Sequence, residues 1–191
     1  MVTLIVGRTA SGKSTLAKML ENMGAKILKS YTTREQRNES DTDHIFITKE
    51  EAKTFSHKVA TTVINGNEYF ATLEQFEDSD FYIIDPCGIE TFLETMPDTK
   101  FEVIYVNTEK SLRKKRFMER GATEEDFLAR DNAENEQFTD FEIRMGIPNG
   151  LPVNISSVFV VNNNSLETLA MSFIYKYFLE QTGRIIKHIR N

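Results

Sequence analysis

A short segment near the start of the chain constrains the fold more than any other feature. Within residues Gly7 to Thr15, the first eight residues match the pattern G-x-x-x-x-G-K-[ST]. The apolar run 2–6 precedes this segment, and apolar residues at helical spacing follow it up to residue 23. A strand, a loop and a helix in this order form the context in which the pattern binds phosphate. The alternative is an ordinary glycine turn between a strand and a helix.

The residue types in this segment suit a phosphate group. Gly7 and Gly12 let the backbone fold around phosphate oxygens with its N–H groups pointing inward. Lys13 can reach the outer phosphates of a nucleoside triphosphate, and the Ser14 hydroxyl is a candidate ligand for Mg²⁺. The candidate residues for binding the triphosphate are Gly7, Arg8, Thr9, Ala10, Ser11, Gly12, Lys13, Ser14 and Thr15.

Strand-like and helix-like segments alternate along the rest of the chain. Apolar runs predict strands over residues 25–28, 81–84, 101–106 and 158–161. Helical spacing and end signals predict helices over residues 89–96, 109–120, 123–144 and 166–189. This alternation predicts an α/β fold with a central parallel sheet and helices on both faces.

The strand at residues 81–84 ends at Asp85, a second candidate ligand for Mg²⁺. The alternative is that Asp85 caps the following helix. Asp85 and Gly88 also fit the D-x-x-G pattern of GTPases. However, residues 161–165 lack the lysine and aspartate of the N-K-x-D element that binds guanine in that class.

Local signals predict a small β-containing insert over residues 44–76. Thr48 and Glu51 have the spacing of a capping box at the start of a short helix. Asn65 and Gly66, between two strand-like runs, are typical of a β-hairpin turn. The polar residues 30–44 before the insert predict an ordered functional loop or a short helix.

Composition favours one globular domain in a reducing setting. The chain has 191 residues and a single cysteine, Cys87, which excludes an internal disulfide framework and a cysteine-rich zinc site. No run of about 18 apolar residues is present, and the first residues do not resemble a signal peptide. The net charge of −6 disfavours non-specific binding of nucleic acid. We therefore expect a cytoplasmic protein without a membrane or nucleic-acid partner.

The polar loop carries a resemblance to a known family. Residues 30–39 and 43–46 are similar to the T-T-R-x-x-R-x-x-E and D-Y-x-F motifs that guanylate kinases use to bind a nucleoside monophosphate. Two arginines three residues apart can grip one phosphate with paired donors. The resemblance implies that the acceptor is bound by Ser30, Arg34, Arg37, Glu39, His44, Tyr69 and Thr72.

The resemblance extends over most of the chain. Arg116, Arg120 and Arg130 resemble the lid arginines that neutralise charge in the transition state, and Lys13 joins them as a catalytic residue. For Arg113, Lys114 and Lys115 we expect a solvated helical face instead. Asn162 ends a strand that in the family lies near the adenine of ATP. The implied division is a core of residues 1–29, 78–111 and 136–191, an insert of residues 30–77 and a lid of residues 112–135.

The resemblance implies phosphoryl transfer from ATP, with Mg²⁺, to GMP or dGMP in a monomer or homodimer. The guanine-binding side chains of the family are replaced near Ala60 or Thr61, at Ala71 and at Cys87. Another nucleoside monophosphate or a phosphorylated metabolite is therefore an alternative acceptor, and a non-catalytic binding module is a further alternative. Cys87 is expected to be a small buried residue without a chemical role.

Overall fold

The computed structural model describes residues 2–36, 39, 41–64, 66–146, 150, 154–162, 164–165 and 168–169. In this part of the chain the strands are Thr3–Val6 (β1), Ile27–Leu28 (β2), Tyr31–Thr32 (β3), Ile45–Phe46 (β4), Lys58–Ile64 (β5), Asn67–Thr72 (β6), Phe81–Ile83 (β7), Phe101–Asn107 (β8) and Ile155–Asn162 (β9). The helices are Lys13–Asn22 (α1), Lys49–Ala52 (α2), Leu73–Glu77 (α3), Pro86–Thr95 (α4), Lys110–Met118 (α5) and Glu124–Gly146 (α6).

The central sheet is parallel throughout and has the strand order β2-β7-β1-β8-β9. Strand β1 lies in the middle, where Ile5 pairs with Ile83 of β7 and Ile104 of β8. The predicted α/β fold with a central parallel sheet is therefore confirmed. Since β1 is flanked on both sides, the loop that follows it begins at the centre of the carboxyl edge of the sheet, where ligands of such sheets bind.

Helices cover both faces of this sheet because successive strand residues point to opposite faces. One face packs against α4 and α6, and its buried side chains include Leu4, Val6, Val103, Phe92, Phe138 and Phe141. The other face packs against α1, and its buried side chains include Ile5, Phe81, Ile104, Leu16 and Leu20. The apolar spacing that predicted α1 thus corresponds to its buried side.

The insert forms a second, four-stranded sheet with the order β4-β3-β6-β5. Its predicted hairpin is confirmed, because β5 and β6 are antiparallel and Ile64 pairs with Asn67. Gly66 in the turn has a φ of 74°, which a glycine adopts without strain. The predicted capping box is also confirmed: Thr48 accepts from the Glu51 N–H, and Glu51 accepts from the Thr48 N–H.

The segment expected to form a lid consists of α5, a turn and the first half of α6. Phe117 of α5 contacts Phe127 of α6, with ring centroids 5.7 Å apart. Farther along α6, Phe138 and Phe141 belong to the buried core. One continuous helix therefore joins the predicted lid to the core, and the boundary expected at residue 135 lies within this helix.

Within the described residues, no helix has the length and apolar character needed to cross a membrane. The closing helix predicted over residues 166–189 lies outside the described residues, apart from a helical assignment at Thr168 and Leu169.

Candidate functional site

The loop between β1 and α1 has a conformation that depends on its glycines. Gly12 has a φ of 102°, in the left-handed region. At Gly7, a Cβ atom would lie 2.6 Å from the carbonyl oxygen of Val106, so no side chain fits there. The Thr108 hydroxyl donates a buried hydrogen bond of 2.8 Å to the carbonyl oxygen of Ser11. The segment after β8 therefore holds the loop in place.

The side chain of Lys13 lies across this loop. Its Nζ donates to the carbonyl oxygens of Gly7 at 2.6 Å and Arg8 at 3.1 Å. Burial lowers the pKa of Lys13 to about 8 because the ammonium group loses hydration, whereas nearby Glu134 acts in the opposite direction. Phosphate oxygens in this place would favour the charged form of the lysine.

All three arginines predicted for the lid lie around the loop. Arg116 directs Nη1 toward the carbonyl oxygen of Ser11, at 3.5 Å. Burial lowers the pKa of Arg116, and the positive charge of Arg120 lowers it further. Arg120 and Arg130 are also close enough to act electrostatically on Lys13. The structure thus brings the four predicted catalytic residues together, and the excess of positive charge suits a polyanion.

A buried carboxylate, Glu134, lies between the lid and the loop. Its side chain is 6% exposed. One oxygen accepts from the N–H of Thr9 at 2.8 Å, and the other accepts from Nε of Arg130 at 2.9 Å. Glu134 therefore positions both the start of the loop and one lid arginine.

The two predicted metal ligands have different partners. The Ser14 hydroxyl donates to Oδ2 of Asp43 at 2.9 Å. Asp85 is the N-cap of α4 and accepts the Gly88 N–H at 2.6 Å. Burial raises the pKa of Asp85, while this hydrogen bond, Arg130 and Lys13 act to lower it. Asp85 therefore caps α4, as the alternative to a metal-binding role predicted.

The Arg8 side chain points toward α6. Its Nε and Nη2 bind both oxygens of Glu142, at 2.9 and 3.0 Å. Burial raises the pKa of Glu142, but the hydrogen bonds from Arg8 and from the Tyr105 hydroxyl, together with the positive charge of Arg8, lower it below its ordinary value. Because the guanidinium is held in this pair, only the backbone of Arg8 belongs to the loop surface.

The expectation of a solvated face at residues 113–115 was wrong for Arg113. Its side chain is 4% exposed and forms an ion pair with Asp131 at 2.7 Å. The spacing of residues along α5 does not reveal this burial, because it results from the packing of α6 against α5. The expectation is confirmed for Lys115, which is 72% exposed; Lys114 forms an ion pair with Glu124.

Four of the predicted acceptor-binding residues lie together at the junction of the core and the insert. Ser30 and His44 share a hydrogen bond of 2.9 Å between Oγ and Nδ1. The His44 ring meets the Tyr69 ring edge-on, at 5.4 Å. Arg34 interacts with the Tyr69 hydroxyl and pairs with Asp41 at 2.9 Å. This cluster presents a hydroxyl, an imidazole, a phenol and a guanidinium, all of which can donate to a phosphate.

Four predicted site residues remain, namely Thr72, Glu39, Arg37 and Asn162. Thr72 caps α3, where its hydroxyl accepts from the Gln75 N–H at 3.3 Å. Glu39 lies exposed in a turn. Arg37 lies outside the described residues, and for Asn162 only the backbone at the end of β9 is described.

A cavity of about 760 Å³ connects the loop with the insert. Its lining includes Ser11, Gly12, Lys13 and Ser14 from the loop and α1, Ser30, Asp43 and His44 from the other side, and Arg120 from the lid. This volume is within the range of small-molecule sites. The predicted triphosphate-binding loop and two of the predicted acceptor-binding residues, Ser30 and His44, therefore line one opening.

Comparison with known protein families gives a match to the AAA domain over residues 4–140, which is most of the chain. This chain belongs to the AAA domain family. It is a P-loop, nucleoside-triphosphate-binding domain with a kinase-like fold. No curated protein matches this AAA domain.

Solved structures that share the fold of this AAA domain include the following two. A guanylate kinase from Anaplasma phagocytophilum is 19% identical, with a TM-score of 0.57, and the match covers 95% of this chain and 85% of that one. TT1252 from Thermus thermophilus is 16% identical, with a TM-score of 0.52, and the match covers 94% of this chain and 97% of that one. At these identities the likeness establishes the α/β architecture.

Small side chains occupy the positions where the family resemblance predicts base-reading groups. Ala60 is buried at an irregularity of β5 and has a φ of 54°. Ala71 is also fully buried. Cys87 is exposed, so the expectation of burial was wrong. The loss of hydration that it does experience raises the pKa of the thiol, which fits the absence of a chemical role.

Sequence reasoning missed Glu134, Asp43 as a partner of Ser14, and Thr108. Arg130 and Glu134 have the i,i+4 spacing of a helical pair, which could have indicated that they interact. That spacing does not reveal burial. The hydrogen bonds that Glu134 accepts from Thr9 and that Asp43 accepts from Ser14 join residues far apart in the chain, and no local pattern predicts them.

Proposed function

We propose that this AAA domain is an ATP-dependent nucleoside monophosphate kinase, with GMP or dGMP as the first candidate acceptors. The observation that carries the proposal is the shared cavity, because the phosphate loop lines one side and Ser30 and His44 line the other. Transfer between two bound phosphates requires such proximity. The presence of a guanylate kinase among the similar structures supports the same reaction class.

In the proposed mechanism, the chain contributes positioning and charge. Loop N–H groups and Lys13 hold the β- and γ-phosphates, while Ser30, Arg34 and His44 hold the acceptor phosphate in line. Arg116, Arg120 and Arg130 neutralise charge that spreads over the transferred group. No covalent intermediate is needed. Closure of the insert and lid would exclude water that could otherwise hydrolyse ATP.

The donor set fits Mg²⁺ as the cofactor that accompanies ATP. Ser14 would supply a hydroxyl oxygen to the ion, and the Asp43 carboxylate that is hydrogen-bonded to it adds negative charge; oxygen ligands suit this ion. Among the described residues no group of three or more His, Cys, Asp or Glu side chains could hold a metal ion, so phosphates and water would complete the shell. The chemistry that Mg²⁺ would supply beside Ser14 is neutralisation of charge on the phosphates.

A second candidate acceptor is favoured by the base-reading positions. Guanine has donors that a specific pocket would pair with a carboxylate, but Ala60, Ala71 and Cys87 carry no charge at those places. The nearby hydroxyls of Thr61 and Thr72 suit a different base, a deoxynucleotide or a smaller phosphorylated metabolite.

The decisive experiment measures the release of ADP when the protein is given ATP, Mg²⁺ and one candidate acceptor. The acceptors are GMP, dGMP, AMP, CMP, UMP, dTMP and dUMP, and a reaction without acceptor is the control. Turnover on GMP or dGMP alone would support the first candidate. Turnover on another nucleotide would support the second. ATP binding without turnover on any acceptor would contradict the nucleotide-kinase proposal and favour a binding module.

A variant of the loop tests the assignment of the active site. Lys13→Ala should lower transfer by about 100-fold or more, because charge stabilisation in the transition state is lost. Circular dichroism should show an unchanged fold. Lys100→Ala is the matched control, since Lys100 is exposed just before β8, at the amino edge of the sheet, and does not line the cavity. Full activity of Lys13→Ala would refute the site.

A further inference from the structure

We infer that Asp43, supplied by the insert, is the carboxylate that positions the metal-binding hydroxyl of Ser14. This role differs from the sequence prediction, which assigned the carboxylate of the metal site to Asp85. The inference rests on the proposed function, because it concerns Mg²⁺ bound together with ATP.

The hydrogen bond between Ser14 and Asp43 defines the direction of the hydroxyl. Oγ of Ser14 donates its only proton to Oδ2 of Asp43, at 2.9 Å. The lone pairs of the same oxygen then point away from Asp43 and are available to a cation. The negative charge of Asp43 adds a favourable interaction with that cation. Partners of this kind orient metal ligands and raise their affinity for the metal.

The position of Asp43 is set by the backbone of the insert. The neighbouring His44 ring is hydrogen-bonded to the Ser30 hydroxyl at 2.9 Å. The N–H of Ile45 donates to the carbonyl oxygen of Ser30, also at 2.9 Å. These two bonds attach the residues after Asp43 to Ser30, which lies between β2 and β3. Both Asp43 and Ser14 line the shared cavity, so their carboxylate and hydroxyl lie where the triphosphate is expected.

Asp85, the carboxylate that the sequence pattern predicted for the metal site, caps a helix in the same region. Its Oδ1 accepts the Gly88 N–H at 2.6 Å and caps α4. Its charge also acts on Lys13, which it stabilises in the protonated form. Ser14 donates to Asp43 and Asp85 accepts from the backbone of α4, so the two carboxylates serve different elements. The metal site would consequently join the loop to the insert, and binding of Mg²⁺ with ATP would also hold the insert in place.

The test compares ATP affinity in Mg²⁺ with ATP affinity in EDTA by isothermal titration calorimetry. For the wild-type chain we expect Mg²⁺ to tighten binding. Asp43→Asn should reduce this gain by about 10-fold or more while leaving the affinity in EDTA within about 3-fold. Asp85→Asn should keep the gain. Asp78→Asn is a control for the loss of one surface charge, since Asp78 is 78% exposed and pairs with Lys26.

A double-mutant cycle separates positioning through Ser14 from a general charge effect. In a Ser14→Ala background, Asp43→Asn should change the Mg²⁺ gain by less than about 2-fold, because the hydroxyl that it orients is absent. An undiminished effect in that background would overturn the inference. A retained gain in Asp43→Asn, or an equal loss in Asp85→Asn, would also overturn it.

The same titrations distinguish failure of the inference from failure of the proposed function. Absence of ATP binding in both buffers would refute the proposed function. Binding of ATP in EDTA without any gain from Mg²⁺ would overturn the metal inference and leave the phosphate site intact. The readout is an affinity ratio, so it does not depend on knowing the acceptor.

Discussion

The protonation of Lys13 should govern how ATP binding depends on pH. Burial lowers the pKa of this lysine to about 8, and only the charged form attracts phosphates strongly. As the pH rises above about 8, the charged fraction of the free protein falls, and the apparent affinity should fall by up to about tenfold per pH unit. Titration calorimetry between about pH 7.5 and 9.5, where phosphates are already fully ionised, measures this decline.

Two variants check that Lys13 causes the decline. Lys13→Arg should remove it, because arginine stays charged over the whole range. Glu134→Gln should move the midpoint below about pH 8, since the charge of Glu134 raises the pKa of Lys13 in the wild-type chain. A pH profile unchanged in both variants would show that another group controls binding.

The contact between α5 and α6 depends on the buried pair of Arg113 and Asp131. Asp131 is 6% exposed on its side chain and accepts from Lys110 as well as Arg113. Asp131→Ala would leave the buried guanidinium without this carboxylate, so we expect the free energy of unfolding to fall by about 3 kcal/mol. Urea denaturation with constant m-values measures the change.

A surface pair on the same helix provides the control for this prediction. Asp140 pairs with Arg144 at 2.8 Å, and its side chain is 58% exposed. Asp140→Ala should change the free energy of unfolding by less than about 1 kcal/mol, since exposed ion pairs contribute little. Equal effects of the two substitutions would contradict the assigned role of the buried pair.

At the scale of the whole molecule, ATP should stabilise the fold because its site joins several elements. The cavity is lined by α1, the start of the insert and the lid. At a concentration about 100 times its Kd, a ligand adds about 2.7 kcal/mol of stability. For a chain of this length, that corresponds to a rise in Tm of about 5–10 °C. Differential scanning fluorimetry with Mg²⁺ and ATP measures the shift.

Lys13→Ala should abolish most of this thermal shift while its own Tm without ATP stays close to that of the wild-type chain. An equal shift in both proteins would place the nucleotide elsewhere than the phosphate loop.

Short-range sequence patterns predicted the elements and much of the site. The loop that begins at Gly7, the cap at Thr48 and the hairpin at Gly66 each depend on neighbours within a few residues, so their conformations are readable locally. The parallel sheet followed from alternation of strands and helices. The family resemblance predicted that Ser30, His44 and Tyr69 bind one acceptor, and the structure places these three residues together.

The sequence by itself thus determined the α/β architecture, the phosphate loop and the residue types around it. Only the tertiary structure decided which charges are buried and which partners they have. Arg113 and Glu134 lie on helices whose surface patterns look solvated, and their burial comes from packing of α5, α6 and the loop. Asp43 meets Ser14 across 29 residues of chain. Such contacts depend on distances between elements, and no spacing within one element encodes those distances.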